Sequence, residues 1–76
     1  MNSGHLIVRR IWKLCNERNI TIYVLAQNCD ELGYTTINEL INSKNPNPKA
    51  STVEKICNGF NISIGEFYND PMFFKR

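Results

Sequence analysis

Histidine is almost missing from this sequence: His5 stands alone, close to the first residue. The three cysteines, Cys15, Cys29 and Cys57, are odd in number, widely spaced and without a CxxC pair. Zinc sites draw about four N or S donors from close spacings, so no metal site is expected. Each cysteine falls on an apolar helical face, and all three are expected to be small buried hydrophobes in a reducing cytoplasm. No apolar run approaches about 18 residues, so no membrane partner is expected. The start of the chain has no charged segment followed by a long apolar one, so secretion is not expected, and residues 1–5 read as a flexible N-terminus without function. No nucleophile–base pair, metal cluster or glycine-rich phosphate loop occurs, so an enzyme with a small-molecule substrate or cofactor is not expected. A strong charge of one sign is missing too: nine Lys and Arg against seven Asp and Glu leave +2. That total permits nucleic-acid binding without demanding it.

What is present has helical period throughout. At 76 residues the chain reads as one domain with little core to spare. Ile7, Ile11 and Leu14 place an amphipathic helix over Leu6 to Arg18, with Asn19 as a left-handed stop and Thr21 as the next N-cap. On that first helix Arg9, Arg10 and Trp12 lie off the apolar stripe and read as surface. Ile22, Leu25, Ala26 and Cys29 give a short second helix; Ile37, Leu40 and Ile41 give a third, ending near Asn42. Lys44-Asn45-Pro46-Asn47-Pro48-Lys49 is a loop, since its prolines and asparagines forbid a regular helix. Ser51 with Glu54 predicts a capping box for a fourth helix carrying Val53, Ile56, Cys57 and Phe60. Asn61 closes it in the left-handed conformation. Ser63 with Glu66 predicts a second capping box, and Asn69-Asp70-Pro71 stops the fifth helix. Helices this short are marginal alone, so one shared core must hold them.

In this order the segments resemble the lambda-repressor/Cro-like helix-turn-helix family, also called the XRE family. The marks are Ile11-x-x-Leu14 with Arg18-Asn19-Ile20-Thr21, then Leu25-Ala26, then Thr35-Thr36-Ile37-Asn38-Glu39-Leu40-Ile41-Asn42. Asn47-Pro48, Thr52-Val53-Glu54-Lys55-Ile56-Cys57 and Asn61-Ile62-Ser63-Ile64-Gly65-Glu66-Phe67 complete the pattern, which runs from Ile7 to Phe73. The resemblance implies an all-α fold, a compact five-helix bundle with the helix-turn-helix in helices 2 and 3. Residues 6–70 would form the DNA-binding domain, and 71–76 a tail that is a candidate dimer contact. Two departures stand out. Leu25 to Ile37 is one residue longer than the usual spacing, through an extended turn or an extra partial turn of helix 2. The turn also carries Asp30 and Glu31, whose charge repels phosphate wherever it comes close.

The resemblance further implies that helix 3 lies in the major groove of double-stranded DNA. With Ile37 buried, Tyr34, Thr35, Asn38 and Glu39 point outward as base readers. Asn38 suits adenine, Thr35 either base type or a thymine methyl, and Glu39 cytosine. Each has a plain alternative: Thr35 as a helix cap, Asn38 and Glu39 as solvated surface. Thr36 is expected to pack inward or bond back to its own helix. Thr21, Ile22 and Tyr23 at the start of helix 2 are expected to bind phosphate through backbone N–H groups and the helix dipole. Ser43, Lys44 and Asn45 form a second phosphate clamp. Arg18 either joins them or pairs with an acid, Glu54 or Glu66.

The function implied is a sequence-specific transcriptional regulator of phage, plasmid or mobile-element type, cytoplasmic and homodimeric. A chain this short is expected to dimerise through its own helices, with Phe73 and Phe74 as the candidate contact and Phe67 closing the core. The alternative is a protein-interaction module, an antitoxin or adaptor that keeps the fold.

Overall fold

The computed structural model describes residues 3–74. Six helices follow one another: α1 (Ser3–Arg18), α2 (Ile22–Asn28), α3 (Tyr34–Asn42), α4 (Ala50–Phe60), α5 (Ile64–Tyr68) and α6 (Pro71–Phe74). Among the described residues there is no strand. The architecture is the all-helical bundle expected, with one helix more.

The apolar stripes converge as their spacing requires. Ile11, Leu25, Ile37, Ile56, Phe60 and Phe67 are all at most 1% exposed and join five helices in one core. Cys15, Cys29 and Cys57 are buried and free of disulfides. Burial raises all three thiols, Cys57 to about 11, so they stay protonated and behave as small apolar groups.

Two corners turn the chain in the same way. Asn19 and Asn61 adopt the left-handed conformation, with φ of 58° and 59°. The following isoleucine reaches back five residues in both, Ile20 N–H to the Cys15 carbonyl and Ile62 N–H to the Cys57 carbonyl, each 3.0 Å. These bonds meet carbonyls that a helix C-terminus otherwise leaves unpaired. Arg18 clasps the corners together: it donates to the Phe60 carbonyl, and its guanidinium lies 5.5 Å from the Phe60 ring centre. Its partner is thus neither Glu54 nor Glu66, because the unmet carbonyls at the end of α4 lie within reach.

Four other expectations are corrected. α1 starts at Ser3, so Ser3, Gly4 and His5 are helical and Gly4 is buried; Met1 and Asn2 lie outside the described residues. The Ser51–Glu54 box does not form, because α4 begins earlier, with Lys49 as its N-cap and Val53 N–H bonded to the Lys49 carbonyl at 3.1 Å. Ala50, a strong helix former, extends the helix past the proposed cap. The fifth helix does stop at Tyr68, as Asn69-Asp70-Pro71 requires, but it is not the last: Pro71 opens α6, a position where its missing N–H costs no helical bond. Asp70 serves as the cap, its Oδ1 accepting from Met72 N–H at 3.0 Å.

The fourth correction concerns Arg10, which is buried, at 8% exposure, and not surface. Its Nε donates to the Phe67 carbonyl (2.7 Å), Nη2 to the Glu66 carbonyl (3.0 Å) and Nη1 to Asp70 Oδ2 (3.2 Å). Lys13 Nζ shares that carboxylate oxygen at 2.5 Å. One guanidinium therefore ties α1 to the end of α5 and to the cap of α6. A planar fork of donors suits this task, and burial is tolerated because each of the three nitrogens is bonded.

Candidate nucleic-acid interface

The second and third helices are mounted on the rest of the bundle through α4. α2 packs against both α3 and α4. The α2–α4 approach is close at Gly59, where a Cβ would lie 2.4 Å from Cys29 Sγ. α2 begins at Thr21, whose side chain accepts from Val24 N–H at 3.1 Å. The ladder proper starts with Leu25 N–H on the Thr21 carbonyl. Ile22 and Tyr23 therefore keep first-turn N–H groups that the helix does not use.

α2 ends at Asn28, so the additional residue lies in the turn, and the extended-turn reading holds. The turn is anchored by its apolar members: Cys29 and Leu32 are 6% and 8% exposed. Leu32 escaped the sequence reading, although an aliphatic side chain between two acids and a glycine was a signal for it. Its burial fixes the exposed Asp30 and Glu31 beside α4, where Lys55 Nζ lies 3.7 Å from Glu31 Oε1. Asp30, Glu31, Lys55 and Asn58 line one small hollow, so the acidic charge is partly answered within the fold.

α3 starts with Gly33 as N-cap, and no side chain bonds to its first turn. Thr35 is not the cap: the helix already begins at Tyr34, leaving Thr35 inside its first turn. Ile37 is the one buried residue of α3, at 0% exposure, with Leu40 and Ile41 half-buried behind it. Tyr34, Thr35, Thr36 and Glu39 are exposed. Thr36 thus turns outward, contrary to expectation; Ile37 already fills the inward direction of that turn. Asn38 is half-buried, and its Oδ1 accepts from Asn42 Nδ2 at 3.1 Å. The oxygen keeps a second lone pair and the amide its two donors, so bidentate pairing stays open to it.

Beyond α3 the chain turns at Ser43, whose Oγ accepts from Asn45 N–H at 3.2 Å. Ser43, Lys44 and Asn45 are exposed. A hollow lined by Thr36, Glu39, Ser43 and Lys49 joins the outer side of α3 to this loop. The structure thus gathers Glu39 with Ser43 and, separately, Tyr23 with Tyr34. The two tyrosine rings pack edge-to-face with centres 5.9 Å apart, a contact that residue spacing alone did not reveal. In the C-terminal segment Phe73 is half-buried against Phe67 and Tyr68, while Phe74 is 63% exposed.

Among the described residues no group of three or more His, Cys, Asp or Glu side chains could hold a metal ion. Among the same residues no helix is long and apolar enough to cross a membrane.

A short helix laid across the start of a second one, whose exposed side carries Thr, Asn, Glu and Tyr, defines a helix-turn-helix domain. A family profile described as the Cro/C1-type HTH DNA-binding domain matches residues 10–71. The chain belongs to this family, and it is a DNA-binding protein of the transcription-regulator kind. No curated protein and no solved structure matches it.

Proposed function

We propose that the protein is a sequence-specific regulator that reads the major groove of double-stranded DNA with α3, acting as a homodimer. The observation carrying this reading is the lopsided burial of α3: Ile37 alone is buried, while Tyr34, Thr35 and Glu39 face solvent. In this reading Tyr34, Thr35, Asn38 and Glu39 meet base edges. The free N–H groups of Ile22 and Tyr23 beside Thr21, with Ser43, Lys44 and Asn45 across the groove, hold phosphates. Partial neutralisation of Glu31 by Lys55 lowers the repulsion that the turn would exert on the backbone. The phage, plasmid or mobile-element setting rests on the family alone.

The homodimer is supported by the exposed Phe74 and Ile64 at the C-terminal corner, beside half-buried Phe73. Two copies would place two α3 helices about one DNA turn, roughly 34 Å, apart. Phe74→Glu should shift the protein to monomer in sedimentation and weaken binding to a two-half-site duplex.

A salt titration of duplex binding tests the central claim. Affinity should fall steeply with salt, with a log–log slope of about −0.9 per phosphate neutralised. Undetectable binding at low salt would remove the regulator reading in favour of a protein-interaction module. Glu39→Ala should change sequence preference; uniformly tighter binding would make Glu39 only a repulsive charge.

A further inference from the structure

Among the described residues five large hydrophobic side chains are exposed, and two of them, Tyr23 at 58% and Tyr34 at 45%, sit against each other. They join the first turn of α2 to the first turn of α3, with ring planes 62° apart. Such edge-to-face contact is an attractive geometry and restricts both rings. Tyr34 therefore enters the interface as a fixed, largely apolar plate. The remaining outward residues of α3, Thr35, Thr36, Asn38 and Glu39, all carry hydrogen-bonding groups, and only the two small threonine methyls beside them are apolar.

In the major groove, hydrogen-bonding edges distinguish most base pairs, and the one apolar mark is the methyl at pyrimidine C5. A tyrosine ring has no strong hydrogen-bond acceptor or donor on its face, so its best complement there is that methyl. We infer that Tyr34, positioned by Tyr23, reads a pyrimidine 5-methyl group, carried by thymine or by 5-methylcytosine. This rests on the proposal that α3 occupies the major groove. Tyr23 is a positioning residue: it packs on Tyr34 and limits the rotamers the ring can take. The phenolic hydroxyl of Tyr34 is not needed for this reading, which separates it from a phosphate contact.

The test uses the full chain and a duplex selected from random sequence, with binding followed by fluorescence anisotropy at low salt. Deoxyuridine replaces each thymine in turn, and 5-methylcytosine replaces each cytosine. Burying one methyl corresponds to a gain of about fourfold in affinity. One position should show that loss on thymine demethylation, or that gain on cytosine methylation; which arm responds identifies the source. Tyr34→Phe should keep the methyl effect, and Tyr34→Ala should abolish it at that position only. Tyr23→Ala should shrink it while leaving the other positions unchanged. Both residues replaced are exposed, so thermal melting should show all three variants folded.

Methyl-independent binding by the wild type, or a methyl effect that survives Tyr34→Ala, overturns the inference and leaves DNA reading by α3 intact. Loss of the effect in Tyr34→Phe assigns the ring to a hydroxyl contact and also overturns it. Absence of any duplex binding by the wild type overturns both proposals.

Discussion

The corner at Arg18-Asn19-Ile20-Thr21-Ile22 and the corner at Phe60-Asn61-Ile62-Ser63-Ile64 are close to copies of each other. Each has a left-handed asparagine, an isoleucine bonded five residues back, and a hydroxyl N-cap for the next helix. They differ three residues after the cap. Glu66 returns its carboxylate to Ser63 N–H at 3.2 Å while Ser63 Oγ takes Glu66 N–H at 3.0 Å, a complete capping box. The first corner has Val24 at that place, and α2 has no acid in its first turn. One bend thus ends in a helix whose positive end is covered by the chain's own anion; the other leaves that end open. The open one begins the helix-turn-helix. Identical folding chemistry serves both corners, and the electrostatics part where a phosphate is proposed to bind.

The largest effect should come from the support at the far end of the helix that follows the second corner. Arg10→Ala leaves the Phe67 carbonyl unmet in a buried setting, the Glu66 carbonyl with Asn69 N–H alone and Asp70 without its buried cation, for a loss of about 3 kcal/mol in denaturant unfolding. Cutting the clasp should matter less. Arg18→Ala removes a charged donor from the Phe60 carbonyl and the cation from the Phe60 ring, a loss of about 1.5 kcal/mol. Ser63→Ala, which opens the box, should cost about 1 kcal/mol, and equal stability would mean that the box is idle. Val24→Glu supplies the carboxylate that the first corner lacks, and should weaken duplex binding by roughly fivefold, the scale of a dipole–charge effect.

Acid gives a further handle on the same support, where Asp70 caps α6. The Lys13 ammonium, bonded to Asp70, holds that carboxyl below its ordinary 3.8, with help from Met72 N–H. A folded value below the unfolded one means that the contribution is complete above 3.8 and is lost as pH falls through the lower folded value. Asp70→Asn should therefore be less stable than wild type near neutrality, and the gap should close in strong acid. A gap that persists unchanged at the lowest pH would show that Asp70 acts through shape and not charge.

Local signals were legible and long-range ones were not. Asn19, Thr21, Asn61 and the Ser63–Glu66 box act within a few residues of themselves, so the sequence shows both partners at once. The apolar stripes were equally plain, because helical spacing alone aligns Ile7, Ile11 and Leu14 or Val53, Ile56 and Phe60. Arg10 was misplaced since its partners lie 56 to 60 residues away, and a polar side chain off the stripe normally meets water. Arg18 was misassigned for a related reason: a sequence displays acids as partners for a cation, but not the unmet carbonyls of a distant helix end. At the candidate site, the outward direction of Tyr34, Thr35 and Glu39 followed from placing Ile37 inward. The Tyr23–Tyr34 contact did not, because it depends on how α2 and α3 cross.

At Gly59 and Cys29 two helices share one small volume, since a Cβ on the glycine would stand 2.4 Å from the sulfur and 3.2 Å from Leu25 Cδ1. The two positions are therefore one unit of inheritance. A relative that gains a methyl at the place of Gly59 should carry something smaller than cysteine at the place of Cys29. The same compensation should let Gly59→Ala regain its stability when Cys29→Ala accompanies it.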